Sequence, residues 1–175
     1  PAGQETISNS GTQAQVRYGD TIQLGVSGGT GSGTVTWTVT AADGNAVNSS
    51  ISGSGLLTVK DVGVPLTVTV TRSAGGNYTD VSASWEFSAA KKQVSAVVTA
   101  DDRPYAAGDK SATVKASVPD SELVPGDAIT ISGVTGTFDD PNVGTGKKVT
   151  IDSTGAGVSG TNSENYKIIY PATTT

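Results

Sequence analysis

Apolar and polar side chains alternate along most of this chain with a period of two, the pattern of strands that bury one face. In Thr21-Ile22-Gln23-Leu24-Gly25-Val26, the positions Ile22, Leu24 and Val26 share a face. Gly28-Gly29-Thr30-Gly31-Ser32-Gly33 then turns the chain, and residues 34–40 alternate strictly with Val35, Trp37 and Val39 inward. A shorter strand, residues 56–60, follows a Gly-Ser-Gly turn. Leu66, Val68 and Val70 alternate with Thr67, Thr69 and Thr71, and Val81, Ala83, Trp85 and Phe87 alternate with Ser82, Ser84, Glu86 and Ser88. A slip of one residue would turn each apolar set outward, so the register is well specified.

A second series begins after Lys92. Residues 94–100 are rich in apolar side chains, and Ala112, Val114, Ala116 and Val118 alternate with Ser111, Thr113, Lys115 and Ser117. Ile129 and Ile131, then Val149 and Ile151, then Tyr166, Ile168 and Tyr170 mark three more strands. No stretch of ten residues has helical periodicity, although Ser121-Glu122-Leu123-Val124 suits a single turn. About a dozen short strands separated by Gly, Pro and Asp turns predict an all-β fold of two tandem Ig-like β-sandwich domains, residues 1–92 and 93–175. The two halves echo one another. Gly19-Asp20 and Gly126-Asp127 each open a strand, and Asn77-Tyr78 and Asn165-Tyr166 each stand near a final one. Their spacings differ, which implies related architectures and not copies of one repeat. With no Pro- or Ser-rich linker near residue 92, a short junction is expected.

Composition narrows the chemistry. The 25 Thr, 21 Val and 23 Gly suit pleated strands and tight turns. There is no Cys, so disulfides, thiolate nucleophiles and zinc-thiolate sites are excluded. There is no His, which removes the commonest general base and the commonest transition-metal ligand. A net charge of −5 argues against nucleic acid or an anionic membrane as partner. The pairs Lys91-Lys92 and Lys147-Lys148 read as solvated strand ends, and no apolar run reaches the length of a membrane span. The start at Pro1 shows no secretion signal, so any such signal is expected outside this segment.

The second half resembles the YDG-type repeat of large bacterial adhesins, filamentous-haemagglutinin-like surface proteins among them. The residues that carry the resemblance are Gly126-Asp127, the run Gly136-Thr137-Phe138-Asp139-Asp140-Pro141-Asn142-Val143-Gly144-Thr145-Gly146-Lys147-Lys148-Val149-Thr150, and Gly160 with Asn165-Tyr166. Where the family's Tyr-Asp-Gly falls, Tyr105-Ala106-Ala107-Gly108-Asp109 stands instead. The first half resembles the Ig-like repeats of other bacterial surface proteins through Tyr18-Gly19-Asp20, Gly28-Gly29, Gly53-Ser54-Gly55-Leu56-Leu57-Thr58 and Asn77-Tyr78. Both resemblances imply repeats that space or display adhesive regions at a cell surface. Neither implies a catalytic residue.

Each candidate site has a plainer alternative. Asp139-Asp140-Pro141-Asn142, with Asp101-Asp102 as further donors, offers oxygens for calcium, but Asp and Asn around Pro are ordinary turn formers. Asp20 and Asp127 are expected to cap turns and not to form an acid pair for glycoside chemistry. Tyr78 and Tyr166 are expected to act like the tyrosine corner of Ig domains, ring buried and hydroxyl bonded to backbone. Trp37 and Trp85 read as core. Lys115 and Asn165 are the pair to consider for an intramolecular isopeptide bond, but Lys115 falls on the polar face of its strand. Asn48-Ser49-Ser50 and Asn77-Tyr78-Thr79 match the N-glycosylation pattern, in a bacterial protein by chance.

The sequence therefore predicts a non-catalytic structural or adhesive module of an extracellular bacterial surface protein, monomeric, with no catalytic, cofactor or metal residues and no membrane insertion by this segment. Its expected partners are neighbouring repeats of the same chain and a host or neighbouring-cell surface protein or glycan. The alternative is a carbohydrate-binding module, calcium-dependent or not, which requires exposed aromatic side chains or a polarised polar site.

Overall fold

A computed structural model describes residues 7–10, 15–28 and 31–175, with residues 7–10 described by backbone alone. Gly29 and Thr30 of the expected glycine-rich turn lie outside the described residues. The chain divides into two compact units, Pro1–Lys92 and Gln93–Thr175. Among the described residues both are built of short strands, with two 3-10 turns at Asp120–Glu122 and Ser163–Asn165 and no α-helix. The first of these turns overlaps the single turn expected near residues 121–124.

The first unit contains β1 (Ile7–Ser10), β2 (Thr21–Gln23), β3 (Gly25–Gly28), β4 (Val35–Ala41), β5 (Ser50–Ile51), β6 (Leu56–Thr58), β7 (Pro65–Arg72) and β8 (Val81–Ser88). β4, β7 and β8 form one three-stranded antiparallel sheet, β2, β6 and β5 another, and β1 pairs with β3. Register places Trp37, Val70 and Ala83 in one rung and Val39, Val68 and Trp85 in the next. These are the apolar sets that the alternation separates from Thr and Ser. Leu66, Val68 and Val70 are accordingly 0–1% exposed. Val68 meets Ile22, Leu24, Leu57 and Val59 in a core against which the partly buried Trp37, Trp85 and Phe87 pack. The two indoles lie 6.4 Å apart and tilted by 32°, so both tryptophans are core residues. Gly55 is required where β6 begins. It has φ +83°, and a Cβ there would lie 2.7 Å from the Leu24 carbonyl oxygen.

One pairing is parallel. The Tyr18 N–H donates to the Ala90 carbonyl at 2.9 Å, and the Ala90 N–H donates to the Val16 carbonyl at 2.8 Å. Val16 and Tyr18 are buried on either side of the half-exposed Arg17, so this early segment obeys the same period of two.

The second unit contains β9 (Lys92–Ser95), β10 (Val97–Ala100), β11 (Ser111–Ala112), β12 (Val114–Ser117), β13 (Thr130–Ser132), β14 (Thr135–Phe138), β15 (Val149–Asp152), β16 (Gly157–Ser159), β17 (Tyr166–Ile169) and β18 (Thr173–Thr174). Its largest sheet has the order β11-β14-β15-β18, beside the pairs β10-β12, β13-β16 and β17-β9. Val94, Ala96, Val98, Val118, Val149 and Tyr166 form the buried set. Gly136 on β14 is packed so closely that a Cβ would come within 2.6 Å of Val114 Cγ1 and 2.8 Å of Val149 Cγ1. Two β-branched side chains fill the space that a larger residue would need.

Leu57 is 1% exposed at the centre of the first core. Leu57→Ala is expected to lower stability by about 2–5 kcal/mol, since it removes buried carbon and leaves a cavity. Urea unfolding followed by tryptophan fluorescence checks this, and an unchanged midpoint would contradict the packing.

Candidate functional site

Two loops of the second unit face one another across a cleft of about 410 Å³. One wall is the segment after β10, residues 101–106, and the other is the loop between β14 and β15, residues 140–147. Each wall is held in shape by one cation. Arg103 donates from Nη1 to Asp109 Oδ2 at 3.0 Å and from Nη2 to the Asp109 carbonyl, and its guanidinium lies 5.5 Å from the centre of the Phe138 ring. Asp109 in turn accepts from the Ser111 N–H and hydroxyl, both at 2.8 Å. Those two bonds, with the Arg103 charge, hold its carboxyl below the usual carboxylate range, against a small opposing effect of burial.

The second wall was expected to be a turn with calcium as the rival reading. Asp139 Oδ1 accepts the Asp140 N–H and Asp140 Oδ1 accepts the Asn142 N–H, at 2.9 and 2.7 Å, which is Asx-turn geometry. The ammonium of Lys147 binds Asp140 Oδ1 at 2.5 Å, the Asn142 carbonyl at 3.0 Å and Asp139 Oδ1 at 3.6 Å. The loop thus directs its oxygens at a cation that the chain itself supplies. The Lys147 bond, followed by the Asn142 N–H, lowers the pKa of Asp140. Lys147 was expected to be a solvated strand end, and that expectation is corrected. Its side chain is only 15% exposed because three oxygens hold it inside the loop. Lys148 beside it is exposed.

Asp101 and Asp102 line the same cleft as Asp140, so the structure brings together acidic residues that lie far apart in sequence. Asp101 is engaged by Lys115 at 2.9 Å. That pairing, with the Lys115 side chain 72% exposed, places the lysine on the surface and bonded to Asp101, not to Asn165. Among the described residues no three acidic side chains converge as a metal site requires.

The aspartates that open strands differ in use. Asp20 caps its own turn, accepting the Arg17 N–H at 2.8 Å. Asp127 reaches across the unit instead. It accepts the Tyr166 hydroxyl at 2.5 Å and the Asn162 amide at 2.6 Å, while the Tyr166 oxygen accepts the Val124 N–H at 2.8 Å. Tyr166 is thus a buried ring with its hydroxyl bonded to backbone, as the corner reading expects. Tyr78 is half-buried, and the fully buried tyrosine of the first unit is Tyr18, 2% exposed. Tyr18 lies on the parallel-paired segment, which turns its ring inward beside Val16. The signal was present in sequence as the alternation Val16-Arg17-Tyr18.

Residues 90–175 match the YDG domain family. No curated protein matches the chain, and no solved structure does. The cleft therefore lies wholly within the residues matched to that family, between two loops that include Asp139-Asp140-Pro141-Asn142 and Tyr105.

A half-buried carboxylate network lies in the first unit. Asp61 accepts the Ser49 N–H and hydroxyl at 2.6 Å each, and the N–H and amide of Asn48 at 3.1 Å each. The Asn48 amide is therefore engaged by Asp61.

Two outcomes are expected. Tyr166→Phe removes a bond to a carboxylate and leaves the Val124 N–H without its acceptor, at a cost of about 1.5–3 kcal/mol in thermal or urea unfolding of the YDG unit. A loss near zero would contradict the latch. Burial alone would raise the Asp61 pKa, but the Ser49 and Asn48 bonds outweigh it and hold it below the ordinary 3.8. The stability it contributes is then fully present above 3.8 and is lost as pH falls through the lower folded value. Urea midpoints measured from pH 7 down to pH 2 are expected to drop less steeply below about 3.8 in Asp61→Asn than in the parent. Parallel profiles would show that Asp61 carries no such linkage.

Proposed function

We propose that the chain is a non-catalytic structural and adhesive segment of an extracellular bacterial surface protein, a stalk or display repeat made of two Ig-like β-sandwich units. The observation that carries this reading is how the last residues of the first unit are tied to its segment 16–18. The segment 16–18 and Ala90 lie side by side in parallel, joined by two backbone hydrogen bonds. Force that reaches residues 16–18 from one side and Ala90 from the other loads these parallel segments in shear. Their hydrogen bonds must then fail together and cannot be peeled one by one. The YDG unit pairs its first strand β9 with β17 near its other end, and the Ala96 N–H adds a bond to the Ile169 carbonyl at 2.8 Å.

Two further features support the reading. The YDG match over residues 90–175 suits a surface repeat, as the sequence resemblance implies. Several carboxylates available for acid–base chemistry are used in holding turns: Asp20 on Arg17, Asp61 on Ser49, Asp109 on Ser111 and Asp152 on Thr154. Among the described residues no helix is long and apolar enough to cross a membrane. In this reading neighbouring repeats and an opposing surface are the segment's partners.

Single-molecule extension of the chain tests the proposal. Ala90→Pro deletes the N–H that donates to Val16 and is expected to lower the unfolding force of the first unit clearly, leaving that of the YDG unit unchanged. Equal forces in parent and variant would overturn the load-bearing role.

A further inference from the structure

Of nine aromatic side chains in the chain, most are spent on packing. Trp37, Trp85 and Phe87 pack against the first core, Tyr18 and Tyr166 are buried, and Phe138 lies under Arg103. Tyr105 is the exception. It stands 63% exposed on the wall of the YDG-unit cleft, directly after Pro104, whose ring fixes the backbone there. The volume of the cleft, about 410 Å³, falls within the range of small-molecule sites.

The charges around this cleft are largely satisfied from within. Arg103 is matched by Asp109, Lys147 by Asp140, and Asp101 by Lys115. Asp102 is exposed and enters none of these pairs. The Asn142 backbone is used in the loop, its N–H toward Asp140 and its carbonyl toward Lys147, and its side chain is exposed at the cleft. The open groups are therefore an aromatic face, a carboxylate and a primary amide. An anion would be repelled by Asp102. A simple cation would meet one carboxylate outside these ion pairs, since Asp101 and Asp140 are already engaged by Lys115 and Lys147, and it would face the Arg103 guanidinium and the Lys147 ammonium in the walls. A neutral polyol suits all three groups at once. Its C–H face stacks on a ring, and its hydroxyls donate to a carboxylate and pair with both ends of an amide. The walls are already fixed by Arg103 and Lys147, so little ordering cost remains to be met on binding.

We propose that the cleft between residues 101–106 and 140–147 is a saccharide-binding site, with Tyr105 as stacking platform and Asp102 and Asn142 as hydroxyl partners. The inference deepens the adhesive part of the proposed function, because it gives the opposing surface a chemistry. It does not depend on the load-bearing part, which the extension experiment judges separately.

The test is an amide NMR titration of the full chain with the methyl glycosides of glucose, galactose, mannose and N-acetylglucosamine, in buffer containing EDTA, with 1,4-diaminobutane as a parallel probe. At least one glycoside is expected to shift amides of residues 101–106 and 140–147 with millimolar affinity. Tyr105→Ala and Asp102→Asn are each expected to weaken that binding about tenfold while the remaining amide spectrum stays in place. The side chains changed are exposed, so the spectrum itself reports that each variant is folded. Four results would overturn the proposal: no glycoside shifts these amides, the shifts fall elsewhere, the variants bind as the parent does, or the diamine binds and the glycosides do not.

Discussion

Register is the constraint on which both units depend. The chain has no cysteine to cross-link it and only five leucines, so each core is assembled largely from single apolar residues, valine above all, on strands of two to eight residues. In β7, Leu66, Val68 and Val70 are sealed from water while Thr67, Thr69 and Thr71 face the other way. A slip by one position would exchange the sets and expose three side chains, each contributing about 1.5–3 kcal/mol when buried. Turns that admit one geometry hold the strands in place. The close approach of Gly55 to the Leu24 carbonyl and of Gly136 to two valines leaves neither strand room to shift.

Small cores of this kind leave the loops to be ordered by polar means. In the YDG unit three such devices recur: the Tyr166–Asp127 latch, the Arg103–Asp109 clamp over Phe138, and the Lys147 ammonium enclosed by the Asp139-Asp140-Pro141-Asn142 turn. In each, a charged group is engaged by several partners with fixed directions, which is more favourable than an isolated surface ion pair. The last two shape the walls of one cleft and leave Tyr105, Asp102 and Asn142 open on it. Order in the loops and an available binding surface thus have a common origin.

Much of the strand content was legible because alternation is a local signal. Residues 34–40, 66–71 and 81–88 face as the pattern of Val, Trp and Thr dictates. The two-residue strands β5 and β18 were not legible, since a pair of residues has no period. Nor was the parallel pairing of residues 16–18 with Ala90, which depends on the path of the whole unit. The cleft was legible only in fragments. Asp101-Asp102 and Asp139-Asp140 stood out as acidic pairs, and the turn chemistry around Pro141 identified the second loop. The role of Lys147 was hidden. A lysine followed by another lysine at a strand entry looks solvated, and only the fold shows the three oxygens around its ammonium. The same limit applies to Tyr78 and Tyr166, which share an Asn-Tyr context although Tyr78 is half-buried and Tyr166 is buried with its hydroxyl on Asp127.

If the paired segments 16–18 and Ala90 are the mechanical closure of the first unit, they must also be among the last parts of it to open at rest. Native-state amide hydrogen exchange measures this directly, because locally frayed ends exchange fast and globally protected amides exchange at the rate set by full unfolding. The Tyr18 and Ala90 amides are expected to exchange as slowly as those of Val68 and Val70 at the centre of β7. Exchange of Tyr18 and Ala90 at the rate of exposed turns such as Gly44 would contradict the load-bearing closure of the unit.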